Sequence, residues 1–67
     1  MGAAKNATYE VLQNLINDEM TLDDYSGVAK ILQEDYENGW INIIEFGALT
    51  KLFAKKTIDL VSEVNNG

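Results

Sequence analysis

Residues 34–46 read EDYENGWINIIEF, and two adjacent signals in this stretch decide the fold. Gly39 ends one helix, because a glycine after the last helical residue adopts the left-handed conformation without steric cost. Asn42 and Glu45 then have the spacing of a capping box, which begins another helix. The stretch therefore predicts two helices joined by a turn at residues 39–41.

The same turn has a second interpretation as a β-hairpin. Asn-Gly, at residues 38–39, is also the preferred centre of a two-residue hairpin, which would pair residues 35–37 with residues 40–42. The preceding residues 28–36 have a helical and not an alternating apolar period. We therefore favour the helix–turn–helix and leave open short strand character at residues 40–43.

Upstream of this turn the chain carries two more helical segments. A capping box at Thr21 and Asp24 precedes apolar residues spaced three and four apart, and an earlier amphipathic segment has a cap at Asn6 or Thr8. We predict an all-α fold over residues 1–67: a compact three-helix domain with a short helix–turn–helix connection and a long C-terminal helix. The predicted helices cover about residues 7–17, 22–38 and 43–64.

Composition limits the possible functions. The 67 residues include no cysteine and no histidine, which excludes disulfides and the common zinc sites. No spacing brings a nucleophile together with a base, so we expect neither an enzyme nor a cofactor. Met1–Ala7 lacks the apolar core of a secretory signal, and the apolar runs are too short to span a bilayer. We expect a soluble cytoplasmic protein that does not contact membranes.

The quoted stretch also resembles the calcium-binding loop of an EF-hand. Asn38 stands at the fifth loop position, Gly39 at the sixth and Glu45 at the twelfth, where the family has a bidentate ligand. The first position holds Glu34 instead of aspartate, and the third holds Tyr36, which cannot coordinate calcium. The resemblance implies a weak site with Glu34, Asn38 and Glu45 as candidate ligands. Helix capping and packing explain the same residues without a metal, and we favour that interpretation.

Candidate partner-binding residues are two aromatics near the turn, Tyr36 and Trp40, and two lysines on one face of the third helix, Lys51 and Lys55. The net charge is -6 and all five cations are lysines. Because a negative protein without arginine repels phosphate, we do not expect direct nucleic-acid binding. Helix-turn-helix DNA binding, with the third helix as reader, is an alternative.

Acidic residues cluster around both ends of the second helix. The first cluster is Asp18, Glu19, Asp23 and Asp24, and the second is Glu34, Asp35 and Glu37. A surface that mimics DNA would need both clusters on one face, although the helix separates them by about 16 Å.

Helix lengths predict self-association. The third helix would extend about 33 Å and the second only about 25 Å, which leaves an overhang. Apolar residues in the overhang or on a second stripe are the candidate dimer interface: Leu52, Ile58, Leu60, Val61 and Val64. Two alternatives are that the first helix folds back across this surface, or that the third helix breaks near residues 55–57.

These observations favour a small acidic protein–protein interaction module, a homodimer that regulates or inhibits another, unidentified protein. In size, charge and lack of chemistry the chain resembles the small regulators and inhibitors encoded by phages and mobile elements. A degenerate EF-hand-like module that responds to calcium is an alternative function.

Overall fold

The chain forms three α-helices around one small core in a computed structural model that describes residues 6–66, with side chains for residues 6–65. Helix α1 spans Ala7–Asn14, α2 spans Tyr25–Glu37 and α3 spans Ile43–Asn66. The predicted all-α, three-helix fold class is confirmed.

Two alternatives to this fold are wrong. Residues 35–42 contain helix and turn but no strand, so the hairpin does not form. α3 continues without interruption through residues 55–57, where the Thr57 hydroxyl donates to the carbonyl of Phe53 at 2.8 Å.

No helix in the described part of the chain is both long enough and apolar enough to cross a bilayer. Most of the segment assessed for a secretory signal, residues 1–5, lies outside the described residues.

The connection from α1 to α2 is built around buried apolar side chains. α1 continues into a single π-helical turn, Leu15–Glu19, which closes when the Met20 N–H donates to the Leu15 carbonyl at 2.8 Å. Ile16 within this turn and Met20 just after it are both buried. The predicted first helix therefore ends in a wider turn, which brings two core side chains inward.

A 3-10 turn, Leu22–Asp24, then leads into α2, so the regular helix begins three residues later than predicted. The Asp24 carboxylate accepts hydrogen bonds from the Thr21 backbone N–H at 3.2 Å and from its hydroxyl at 3.1 Å. All the groups in this cap are exposed, and water competes for them.

Local hydrogen bonds hold the connection from α2 to α3. Gly39 has a φ of +81°, in the left-handed region. The Trp40 N–H donates to the Asp35 backbone carbonyl at 2.9 Å, and the Gly39 N–H donates to the Tyr36 backbone carbonyl at 3.1 Å. This is the double hydrogen bond of a Schellman motif. The capping box predicted for α3 is also present, and its bonds are reciprocal. The Asn42 N–H donates to Glu45 at 2.9 Å, and the Glu45 N–H donates to the Asn42 side chain at 2.8 Å.

All three helices and both connections contribute to the core. Its buried side chains are Leu12, Ile16, Met20, Val28, Leu32, Ile41 and Leu49. Two stacked aromatic pairs join α2 to α3 beside this core. Tyr25 stacks on Phe53 with ring centroids 5.0 Å apart, and Tyr36 stacks on Phe46 at 4.5 Å. The core is small, which leaves many apolar side chains outside it.

Candidate interaction surfaces

The two pairs of partner-binding candidates lie on different elements. Tyr36 is in the last turn of α2 and uses one ring face to stack on Phe46. Trp40 is in the turn before α3 and is 62% exposed. Lys51 and Lys55 are exposed on α3, one helical turn apart. Of the two aromatic side chains, Trp40 is the more exposed, since Tyr36 is 37% exposed.

Asn6 joins the start of α1 to the turn between α2 and α3. Its side-chain carbonyl caps α1 by accepting from the Thr8 N–H at 3.1 Å. Its side-chain amide donates to the Trp40 carbonyl at 2.9 Å and to the Glu45 carboxylate at 3.0 Å. Asn6 is one of the two caps that the sequence allowed, the other being Thr8. The link to the turn was not predicted, because nothing in the local pattern indicates a partner so distant along the chain.

The candidate calcium ligands already have structural roles or point into solvent. One Glu45 oxygen accepts from both the Asn42 N–H and the Asn6 amide. Glu34 is an exposed residue of α2, and Asn38 is its exposed C-cap. Among the described residues no group of three acidic side chains could hold a metal ion. These contacts give the EF-hand hypothesis no support, and it stays a prediction.

The five dimer-interface candidates fall into two groups. Leu52 and Leu60 are half-buried and pack against the core. Ile58, Val61 and Val64 are exposed, and Ile58 is 66% exposed. We call these three residues the apolar end of α3. The fold therefore covers part of the expected interface and leaves the apolar end uncovered.

The side of α3 away from the core is also mostly uncharged. It carries a line of exposed residues three and four apart: Ile43, Gly47, Thr50, Ala54, Ile58 and Val61. Sequence reasoning missed Ile43 because it lies inside the capping box. The signal was available, since Ile43 lies six residues before buried Leu49 and so falls well off the core-facing side.

Two neighbouring depressions meet at Leu15 and Ile31 and together form a groove along α2, which no sequence pattern had indicated. Its other wall is α1 at one end and the π and 3-10 turns at the other, and no residue of α3 lines it. We call it the groove between α1 and α2. Leu15 and Ile31 lie at its middle. Towards the start of α1 the lining continues through Val11, which is 64% exposed, to Asp35. Towards the π turn it continues through Val28 to acidic residues. The groove is therefore apolar at its middle and towards the start of α1, and more polar towards the π turn.

The rim of this groove is acidic at both ends. Glu19, Asp23 and Asp24 line the end near the π turn, and Asp35 lines the other. The two acidic clusters that the sequence places at opposite ends of the second helix thus both contribute to one groove. Residues 6–50 hold nine acidic residues and a single lysine, Lys30. No cation among the lining residues offsets the rim.

Comparisons of this chain with models of protein families, with curated protein sequences and with solved structures find no match. The surfaces themselves must therefore support any proposal about function.

Proposed function

We propose that this chain is a protein–protein interaction module, a cytoplasmic homodimer that regulates or inhibits another protein. The observation that carries the proposal is the apolar end of α3. At 24 residues α3 is about 36 Å long, whereas α2 at 13 residues is about 20 Å long. Residues 61–65 are all exposed, so the end of α3 has no cover from the shorter helices.

A second copy of the chain is the simplest cover for this surface. Contiguous exposed apolar side chains are unusual on a monomer and mark interaction sites. In a two-fold dimer the same surface is used on both chains, which suits a helix face of this kind. The small residues Gly47, Thr50 and Ala54 also favour it, because two helices approach more closely where contacting side chains are small.

Size gives the chain an additional reason to associate. A single core in a domain of this length supplies only about 3–5 kcal/mol of net stability, and disulfides are absent here. Burying the apolar end of α3 between two chains would add stability without enlarging either core. The remaining surface, including Trp40 and the groove between α1 and α2, would then engage the regulated protein.

Sedimentation equilibrium at micromolar concentration tests self-association. We expect wild type to be a dimer of 7.5 kDa chains and Ile58→Asp to be a monomer. Val11→Asp is the matched control, since Val11 and Ile58 are 64% and 66% exposed and lie on different surfaces. Leu60→Asp is less informative because Leu60 packs against the core. A wild type that sediments as a single 7.5 kDa species contradicts the dimer.

Affinity capture tests the regulatory role. Tagged wild type is expected to retain one specific protein from a lysate of the native host, and Trp40→Ala is expected to retain less of it. Repeated capture without any specific protein would contradict the proposed regulation, even if the dimer forms.

A further inference from the structure

We infer that the groove between α1 and α2 binds a basic amphipathic helix of another protein. This inference rests on the proposed role as an interaction module and specifies the chemistry of its partner. It concerns a surface separate from the apolar end of α3, so the two proposals can fail independently.

The apolar floor of the groove is complementary to apolar side chains of a partner. Val11, Leu15 and Ile31 lie along it and expose apolar surface to solvent. The groove follows α2, which at 13 residues is about 20 Å long, so it accommodates about four turns of a docked helix. Apolar residues at positions i, i+3 or i+4, and i+7 of such a helix would reach the floor together.

The rim of the groove selects the charge of the partner. Glu19, Asp23 and Asp24 at one end and Asp35 at the other surround the apolar floor with negative charge. Lysines or arginines flanking the apolar side of a docked helix would meet these carboxylates at both ends. Complementary charge of this kind speeds association and excludes wrong partners.

The same charges disfavour the other kinds of occupant. Nucleic acids and anionic lipid surfaces carry phosphate, which an acidic rim repels. A peptide that adds a strand needs an exposed sheet edge, and residues 6–66 contain no strand. An acidic or neutral helix would leave the rim carboxylates without partners. A basic amphipathic helix satisfies the floor and the rim together.

A synthetic peptide of about four turns tests this inference, with leucines at i, i+4 and i+7 and lysines on both flanks. Calorimetric titration into the full chain is expected to give saturable binding that weakens as salt is raised. Two control peptides are needed. One replaces each lysine with glutamate, and the other scrambles the same composition so that leucines and lysines no longer segregate on a helix. Neither control is expected to bind.

Two pairs of matched variants locate the binding site. Val11→Lys is expected to weaken peptide binding about tenfold or more. Ile44→Lys makes the same charge change at an exposed position outside the groove and the apolar end of α3, and it is expected to leave peptide binding unchanged. Glu19→Gln with Asp23→Asn is expected to weaken binding several-fold. Asp59→Asn with Glu63→Gln removes the same charge from exposed positions on α3 and serves as its control.

Several results would overturn the inference. Absence of binding, equal binding of the scrambled peptide, or equal loss in both members of a variant pair would each do so. Loss of the dimer in Val11→Asp would instead assign the groove to a second copy of the chain. Circular dichroism checks that Val11→Lys folds, and Val11→Ser replaces it if it does not. If the chain sediments as a dimer but binds no peptide, the proposed binding of a basic helix in the groove is contradicted and the proposed function still stands.

Discussion

The connection between α1 and α2 differs from the connection between α2 and α3 in what holds it together. The first buries Ile16 and Met20 and closes with one wide π-helical turn. The second exposes Trp40 and uses a left-handed Gly39 with short-range hydrogen bonds on both sides. The second connection also buries Ile41 and accepts a hydrogen bond from Asn6 at its Trp40 carbonyl. Its turn and its cap are nevertheless specified by its own few residues, whereas the π turn depends on packing against distant residues.

The comparison teaches that burial and hydrogen bonding contribute unequal amounts of stability. A fully buried aliphatic side chain stabilises by several kcal/mol when cavity terms are included, whereas a cap or a turn glycine contributes about 1 kcal/mol. Buried side chains in the connections should therefore matter more to the fold than the caps and the turn glycine. Substitutions in each connection test this ranking.

The largest effect is expected for Ile16→Ala. Ile16 has no exposed surface in the π turn, so truncation should lower the free energy of unfolding by about 2–5 kcal/mol. That loss approaches the whole stability of a domain of this size. Urea denaturation followed by circular dichroism should show a chain that is largely unfolded without urea. Val11→Ala, at an exposed position, is the control and should stay within about 0.5 kcal/mol of wild type. Equal effects of the two changes would contradict the ranking.

A smaller loss is expected for Gly39→Ala. With φ at +81°, any residue with a Cβ strains the backbone, although no atom beyond the neighbouring residues lies within 4 Å of that Cβ. The free energy of unfolding should therefore fall by about 1–2 kcal/mol. Gly27→Ala should have the opposite sign. Gly27 lies inside α2 with open space around its Cβ, so alanine should stabilise by about 0.5–1 kcal/mol. Thermal unfolding measures both. A stabilising Gly39→Ala would mean that the turn does not need the left-handed conformation.

The smallest effects are expected at the two helix caps. Asn42→Ala removes the acceptor of a 2.8 Å bond within a reciprocal pair and should lower the free energy of unfolding by about 1 kcal/mol. Asp24→Ala removes two longer, exposed bonds to Thr21 and should cost about 0.5 kcal/mol. Urea midpoints distinguish the two variants. A larger loss for Asp24→Ala would reverse the expected order of the two caps.

The two connections also explain how much of the fold could be predicted. The turn at Gly39 and the caps at Asn42 and Asn6 involve residue types with strong positional preferences, so the sequence indicates them directly. The π turn at Leu15–Glu19 has no comparable signature. It forms where Ile16 enters the core, which depends on helices far along the chain.

The surfaces follow the same division. Helix lengths predicted an uncovered end of α3, and Ile58, Val61 and Val64 are indeed exposed. Those lengths did not distinguish Leu52 and Leu60, whose partial burial depends on how the core packs against α3. The groove between α1 and α2 required the structure, because its lining residues come from two helices and the turns that join them, and no local pattern gives their relative placement.

The Asn6 side chain has a consequence for the order in which the chain assembles. Its hydrogen bonds join residues 34 and 39 positions apart, whereas those of the α2–α3 turn join residues three to five apart. Closing the longer loop costs about 2 kcal/mol more in chain entropy. We therefore expect the α2–α3 hairpin to form first and α1 to dock onto it last, and we expect α1 to be the first helix to leave on opening. Since α1 is one wall of the groove, the groove lasts only as long as α1 remains docked. Any ligand held there also slows the release of the first helix.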